Sequence, residues 1–204
     1  MRVFTDWELT PERVAVHMPT ATAVLADVHL GYGEARRRHG EAVPLRTVGE
    51  ALAPLASVLQ RWSLRRAVVA GDLFEDGVDE GAATELLEWF GERGCELAVL
   101  PGNHDRGLTA ANAISTLTEG FTLGDWHVVH GDGSLPRGRV VLGHYHPAVR
   151  LAGQVRPCYL VSGQRLVLPA YSADARGGVP APWRGCRRLV PVGDAVLDFG
   201  HVEC

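Results

Sequence analysis

The 204 residues, 46% hydrophobic and 22% charged, suffice for one well-buried core and fall short of two, so a single domain over 1–204 is expected. A formal net charge of -4 excludes the basic field on which tight nonspecific duplex binding rests, although bound divalent cations would reverse the sign locally. No stretch approaches the roughly 18 uninterrupted apolar residues of a membrane span, and the start lacks an export signal, so a soluble cytoplasmic protein without membrane contact is expected.

Residues 14–16 and 21–26 read as two short strands joined at Pro19-Thr20, the second delivering Asp27 to its end. Over 47–62, Val48, Leu52, Leu55, Val58, Leu59 and Trp62 recur at helical spacing, and 67–70 is a continuous apolar run typical of a strand covered on both faces. Asp79-Glu80 offers a helix start, with Leu86, Leu87 and Phe90 as its stripe and Gly94 as its stop, before another buried strand at 97–100. The first half is therefore β-α-β-α-β, and it sets Asp27, Asp72 and Asn103 just past the carboxyl ends of parallel strands, where open α/β sheets bind ligands.

From residue 121 the spacing changes to short strands at 121–123, 126–129, 139–142, 149–151, 158–161, 165–168 and 187–192, with a surface loop at 177–182. Helical spacing is nearly absent, which predicts a mostly antiparallel second sheet. The fold class expected is α/β: two packed sheets with helices outside, α-β-β-α. Cys95, Cys158, Cys186 and Cys204 have no C-x-x-C spacing and signal neither a zinc knuckle nor a disulfide framework. All 20 basic residues are Arg; guanidinium forks suit phosphate, but codon bias explains the usage as well.

Five runs carry most of the metal-ligating residues: Asp27-Val28-His29, Gly71-Asp72, Gly102-Asn103-His104-Asp105, His130-Gly131-Asp132 and Gly143-His144-Tyr145-His146. Carboxylate, imidazole and amide donors without thiolate suit Mn, Fe, Zn or Mg. Asp27 and His29 can turn toward one ion. Asp72 is the natural bridge to a second, for which Asn103, His130 and His144 are candidates.

In this order D-x-H, G-D, G-N-H-D, H-G-D and G-H-x-H resemble the calcineurin-like metallophosphoesterases over roughly residues 21–150. The resemblance implies two divalent ions, with Mn favoured. One would lie on Asp27, His29, Asp72 and His146, the other on Asp72, Asn103, His130 and His144. It also implies that His104 is a proton donor, with Asp105 behind it. Ions about 3.5–4 Å apart can hold a bridging hydroxide as nucleophile and clamp the phosphate oxygens. Arg36-Arg37-Arg38, residues 102–107, 143–150 and 165–171 further resemble the bacterial DNA ligase-associated metallophosphoesterases. That implies a DNA-damage-response endonuclease or phosphodiesterase associated with an ATP-dependent DNA ligase, a helicase and an exonuclease. Ser172-Ala173-Asp174-Ala175-Arg176 departs from the glycine-rich segment expected there.

Arg106 follows the His104 loop and is a candidate substrate-binding residue, whereas Arg36 to Arg38 read first as the solvated face of a helix. Asp105 and Asp132 better suit a role in fixing loop backbone or orienting a ligand, and Tyr145 should point away from the flanking ligands. Two alternatives remain open: a phosphomonoesterase or cyclic-nucleotide hydrolase with the same metals, and a non-catalytic protein-binding scaffold. Oligomeric state is not legible in the sequence.

Overall fold

The computed structural model describes residues 1–108, 113–117, 120–175, 177–178, 183 and 185–201. The chain opens with β1 (Arg2–Val3), β2 (Trp7–Leu9) and β3 (Ala15–His17), an antiparallel ribbon. Its first two strands are too short to show alternation in sequence. A 3-10 turn at Met18–Thr20 leads to β4 (Thr22–Leu25), followed by α1 (Tyr32–Arg38), α2 (Val48–Arg61), β5 (Arg66–Ala70), α3 (Glu80–Glu92), β6 (Glu96–Leu100) and β7 (Ser115–Thr116). These strands form one sheet in chain order, and β4 to β7 are parallel. The expected β-α-β-α-β order stands, with α1 added.

Helix α2 forms where the sequence caps it. Thr47 Oγ1 accepts the Glu50 N–H at 3.1 Å, and the Glu50 carboxylate accepts the Thr47 N–H at 2.9 Å, so two orphan donors are satisfied reciprocally. Its apolar stripe, Val48, Leu52, Leu55, Val58 and Leu59, lies on the sheet. Pro54 removes one N–H from the helical ladder, and the next N–H, that of Leu55, donates to the Tyr171 hydroxyl at 3.0 Å. Asp79 caps α3 by accepting the Ala82 N–H at 2.7 Å.

The second sheet is built from β8 (Phe121–Leu123), β9 (Trp126–Val129) and β10 (Arg139–Leu142), then, after a separate hairpin of β11 (Ala148–Leu151) and β12 (Gln154–Pro157), from β13 (Tyr159–Ser162), β14 (Arg165–Val167), β15 (Arg187–Val192) and β16 (Ala195–His201). Its order is β16-β15-β13-β14-β10-β9-β8. Antiparallel pairs predominate, as expected, but β9, β10 and β14 are mutually parallel at its centre. The crossovers that permit this are the loop after β9 and the β11–β12–β13 excursion. Neither contains the helix that usually announces a parallel pair. Consequently β9 and β10 end side by side on one edge.

Alternate residues of the first sheet face opposite ways. Ala23, Ala67 and Leu97 pack beneath α2 and α3, while Val24, Val68 and Ala98, in register across three strands, meet Val128, Val141, Leu166 and Leu189 of the second sheet. The outer face of the second sheet carries Val140, Leu142, Leu160 and Val167. Among the described residues these are covered by Val149, Trp183 and Cys186. The described helix faces thus lie on the first sheet, and the hairpin takes their place on the second. Of the loop read at 177–182, residues 179–182 lie outside the described residues, as do Arg176 and Cys204.

Candidate metal centre

Five strand ends converge on one edge of the sandwich. Asp27 and Asp72 each stand two residues past β4 and β5, Asn103 three past β6, His130 one past β9 and His144 two past β10. Both sheets therefore aim parallel strand ends at one pit. Asp27, His29, Asp72 and His146 each offer a donor atom within 4.8 Å of the others, and so do Asp72, His130 and His144. Asp72 is common to both groups. Asn103 Oδ1 lies 3.2 Å from His130 Nε2, adding a neutral oxygen to the second. All seven expected ligands are thus brought together.

The backbone is bent to achieve this. Asp27 (φ 57°), His29 (53°), Asp72 (52°), His144 (67°) and His146 (42°) all occupy the left-handed region, at about 1–2 kcal/mol each for a residue with a Cβ. Backbone bonds hold the loops there: Asp27 N donates to Gly71 O at 3.0 Å, His29 N to Asp72 O at 3.0 Å, and Gly143 N to His130 O at 3.0 Å. His104 N donates to Asp72 Oδ1 at 2.9 Å, and His144 N reaches the Asp27 carboxylate at 3.0 Å.

Gly71 shows why a small residue precedes Asp72. Its φ is +86°, and an added Cβ would collide with the His130 ring. Strain of about 1–2 kcal/mol and overpacking of about 1–3 kcal/mol should together lower the melting temperature of Gly71→Ala by roughly 5–15 °C. Thermal denaturation against Gly91→Ala, where the new methyl meets nothing within 4 Å, checks this; equal melting of the two variants refutes it.

The pit is electrostatically unbalanced without a cation. Asp27 (0% exposed) and Asp72 (2%) are buried carboxylates whose ion-pair partners among the described residues are histidines: His146 Nε2 and His130 Nδ1 for Asp27 (3.4 and 4.0 Å), and His130 Nε2 for Asp72 (3.4 Å). Burial opposes charge on His130, yet the bond and charge of Asp72, the Ala70 carbonyl and Asp27 override it and raise its pKa to about 9. Burial likewise pushes Asp72 up, and the His130 bond and charge with the His104 N–H bring it below the ordinary carboxylate range. Burial and then the His130 charge lower His144. Buried carboxylates backed by imidazoles form a donor set that fits divalent ions, which bind by displacing such protons. His130 Nδ1 lies 3.0 Å from the Ala70 carbonyl, an acceptor only, which turns Nε2 toward Asp72 and Asn103.

Glu75 is a residue that sequence reading missed. Its carboxylate lies 2.8 Å from His29 Nδ1, the arrangement by which a carboxylate orients a ligating imidazole, and its carbonyl accepts His104 Nδ1–H at 2.6 Å. His29 Nε2 is thereby turned to His146 Nε2, 3.4 Å away, and His104 Nε2 is left for other partners. The only available signal was position, three residues past Asp72.

Asp105 corrects an expectation. It does not back the His104 ring: its Oδ1 accepts the Phe74 N–H at 2.9 Å and its Oδ2 the Gly102 N–H at 2.8 Å. The His104 ring is held instead by the Glu75 carbonyl, at Nδ1. Burial raises the Asp105 carboxyl, and those backbone bonds counter it. Asp105 therefore fixes the loop that carries Asn103 and His104. Arg106 pairs with Asp76 at 2.6 Å, and Tyr145 packs on Trp183 with ring centroids 5.1 Å apart. Asn103 is exposed and His104, His144 and His146 are half-buried, so the open side of the pit is lined by the groups a substrate would meet.

A family model described as calcineurin-like phosphoesterase matches residues 21–156, a span that includes all seven candidate ligands. The solved structure described as "Crystal structure of Pseudomonas putida nuclease MPE" is similar at a TM-score of 0.77 and 20% identity, over 97% of this chain and 98% of that one. No curated protein matches.

Proposed function

The chain belongs to the calcineurin-like phosphoesterase family, and from that premise we propose that it is a single-domain phosphodiesterase or nuclease acting on DNA with two divalent ions, Mn favoured. The observation that carries this reading is the pair of donor groups sharing Asp72. Asp27, His29, Asp72 and His146 would hold one ion, and Asp72, Asn103, His130 and His144 the other. When bound, such a pair activates water and neutralises phosphate oxygens. The chain's own residues do the rest. Glu75 keeps His29 Nε2 turned inward, Asp105 holds the 102–104 loop, and His104, its Nδ1–H engaged by the Glu75 carbonyl, delivers a proton from Nε2 to the departing oxygen.

A diester is preferred over a monoester because the similar protein of Pseudomonas putida is called a nuclease and because the chain resembles the ligase-associated group. A role in DNA repair beside a ligase, helicase and exonuclease follows from the second of these. A reducing cytoplasm accords with Cys95, Cys158 and Cys186, which are free and buried. No described helix is long and apolar enough to cross a membrane.

Protein dialysed against chelator should lose at least about 100-fold of its activity on bis(4-nitrophenyl) phosphate and regain it with Mn. Undiminished turnover after chelation refutes the reading. In the same Mn series, monoesters turning over far faster than diesters or DNA would replace it with the phosphomonoesterase alternative.

A further inference from the structure

Arg38 ends α1 and Arg106 follows the His104 loop, 68 positions apart, yet both guanidinium groups converge on one carboxylate. Arg106 Nη2 lies 2.6 Å from Asp76 Oδ1, and Arg38 Nη2 lies 3.1 Å from Asp76 Oδ2. The other arginines of the 36–38 run are engaged elsewhere: Arg36 pairs with Glu41 at 2.9 Å, and Arg37 Nε donates to Val43 O at 2.9 Å. The run therefore divides, and its last member is directed toward the site.

We propose that Arg38 and Arg106, spread apart and aimed by Asp76, clamp a second phosphate of a polynucleotide on the leaving-group side of His104. The proposal rests on the phosphodiesterase reading above. Two guanidinium groups against one carboxylate leave a net positive charge, and the side chains are 59% and 74% exposed, so most of their N–H donors face solvent. Exposed pairs of this kind add about 0–1 kcal/mol to stability, which gives the cluster little value as a structural tie. Its use is preorganisation: a guanidinium already held in place loses less freedom when it meets phosphate.

Position supplies the direction. Asp76 follows Glu75, which touches both His29 and His104, and the two segments are zipped by Gly77 N to His104 O at 3.0 Å and Val78 N to Arg106 O at 3.1 Å. The clamp thus adjoins the proton donor and stands on the side from which the leaving group departs. Beyond Asp76 the groove is lined by Glu34, Glu50, Asp79 and Glu85 against a single further cation, Arg46, and this acidic excess would repel a strand that continued along it. Recognition on this side is confined to about one phosphate. An ester with a single phosphate cannot occupy pit and clamp together, so the clamp selects polynucleotides.

The test compares wild type, Arg38→Ala, Arg106→Ala and, as a remote control, Arg187→Ala, in Mn. It reads kcat/KM for a single-stranded oligonucleotide relative to bis(4-nitrophenyl) phosphate, and the oligonucleotide Kd by fluorescence anisotropy against salt. Each clamp variant should lower the oligonucleotide-to-diester ratio about tenfold and reduce the salt slope of log K by about 0.7–1, with the control unmoved. Turnover of both esters with ratio and slope unchanged in both clamp variants overturns the clamp and leaves the phosphodiesterase reading standing. Absence of turnover with weakened, less salt-sensitive binding in the clamp variants overturns that reading and keeps the phosphate site.

Discussion

Asp72→Ala should lose about 1,000-fold or more of kcat/KM on every phosphate ester and bind less metal at both positions. Among the described residues no other belongs to both donor groups, so its removal would take a charged ligand from each proposed ion at once. The same carboxylate accepts the His104 N–H, and its loss frees the loop that carries His104, the proposed proton donor. Asp72→Asn separates these effects, because an amide oxygen can still accept from His104 while the negative charge shared by the two donor groups is gone. It should fold like wild type by circular dichroism, retain less metal, and remain severely impaired. Metal analysis and turnover measured together decide the matter: full metal content with wild-type kcat/KM in Asp72→Ala refutes the shared-ligand assignment.

His104→Ala should behave differently, keeping its metal while losing activity according to the leaving group. General acid catalysis contributes about 10²–10⁴-fold when the departing oxygen is a poor leaving group, as in an oligonucleotide. A 4-nitrophenolate leaves without a proton, so the loss on bis(4-nitrophenyl) phosphate should stay below about tenfold. An equal loss on both esters accompanied by lost metal would reassign His104 to coordination with His29 and Glu75, the third cluster with donor atoms within 4.8 Å. An equal loss with metal retained would make it a structural residue of the loop.

The strand-end loops were legible because apolar runs buried on both faces, such as 67–70 and 97–100, mark central parallel strands, and whatever follows them lies on the ligand edge. Asp72 and Asn103 could be placed that way. The centre of the second sheet could not, since parallel pairing of β9, β10 and β14 depends on crossovers that carry no periodic signal. β16 escaped notice for a related reason: Asp198 and Gly200 break its alternation, and its register slips between Arg187 and Leu189. Of the two roles open to Asp105, fixing loop backbone is the one the fold supports, and adjacency to His104 in sequence does not amount to contact with its ring. In a tight turn the neighbouring carboxylate folds back on the backbone, and a carbonyl from another loop, that of Glu75, reaches the ring. Arg38 stood in a run read first as a solvated face and Asp76 in no motif, and only the folded chain brings them together.

The bonds that join the two layers at the pit bear on more than chemistry. Elsewhere the sheets meet mostly through apolar side chains, a contact that is attractive in many alignments, with the Tyr159 hydroxyl on the Thr10 and Val14 carbonyls as a polar exception. At the ligand edge, His144 N on the Asp27 carboxylate, His130 Nδ1 on the Ala70 carbonyl, and Tyr171 N and Ser172 N on the Ala26 and Asp27 carbonyls are satisfied in one alignment only. Slipping one sheet past the other by a single residue would leave those groups buried and unpaired, at about 1–3 kcal/mol apiece. The polar edge thus works as an indexing pin between the two plates, seconded by Tyr159 at another point of the interface, and a descendant that abandoned hydrolysis would still be under pressure to keep much of it.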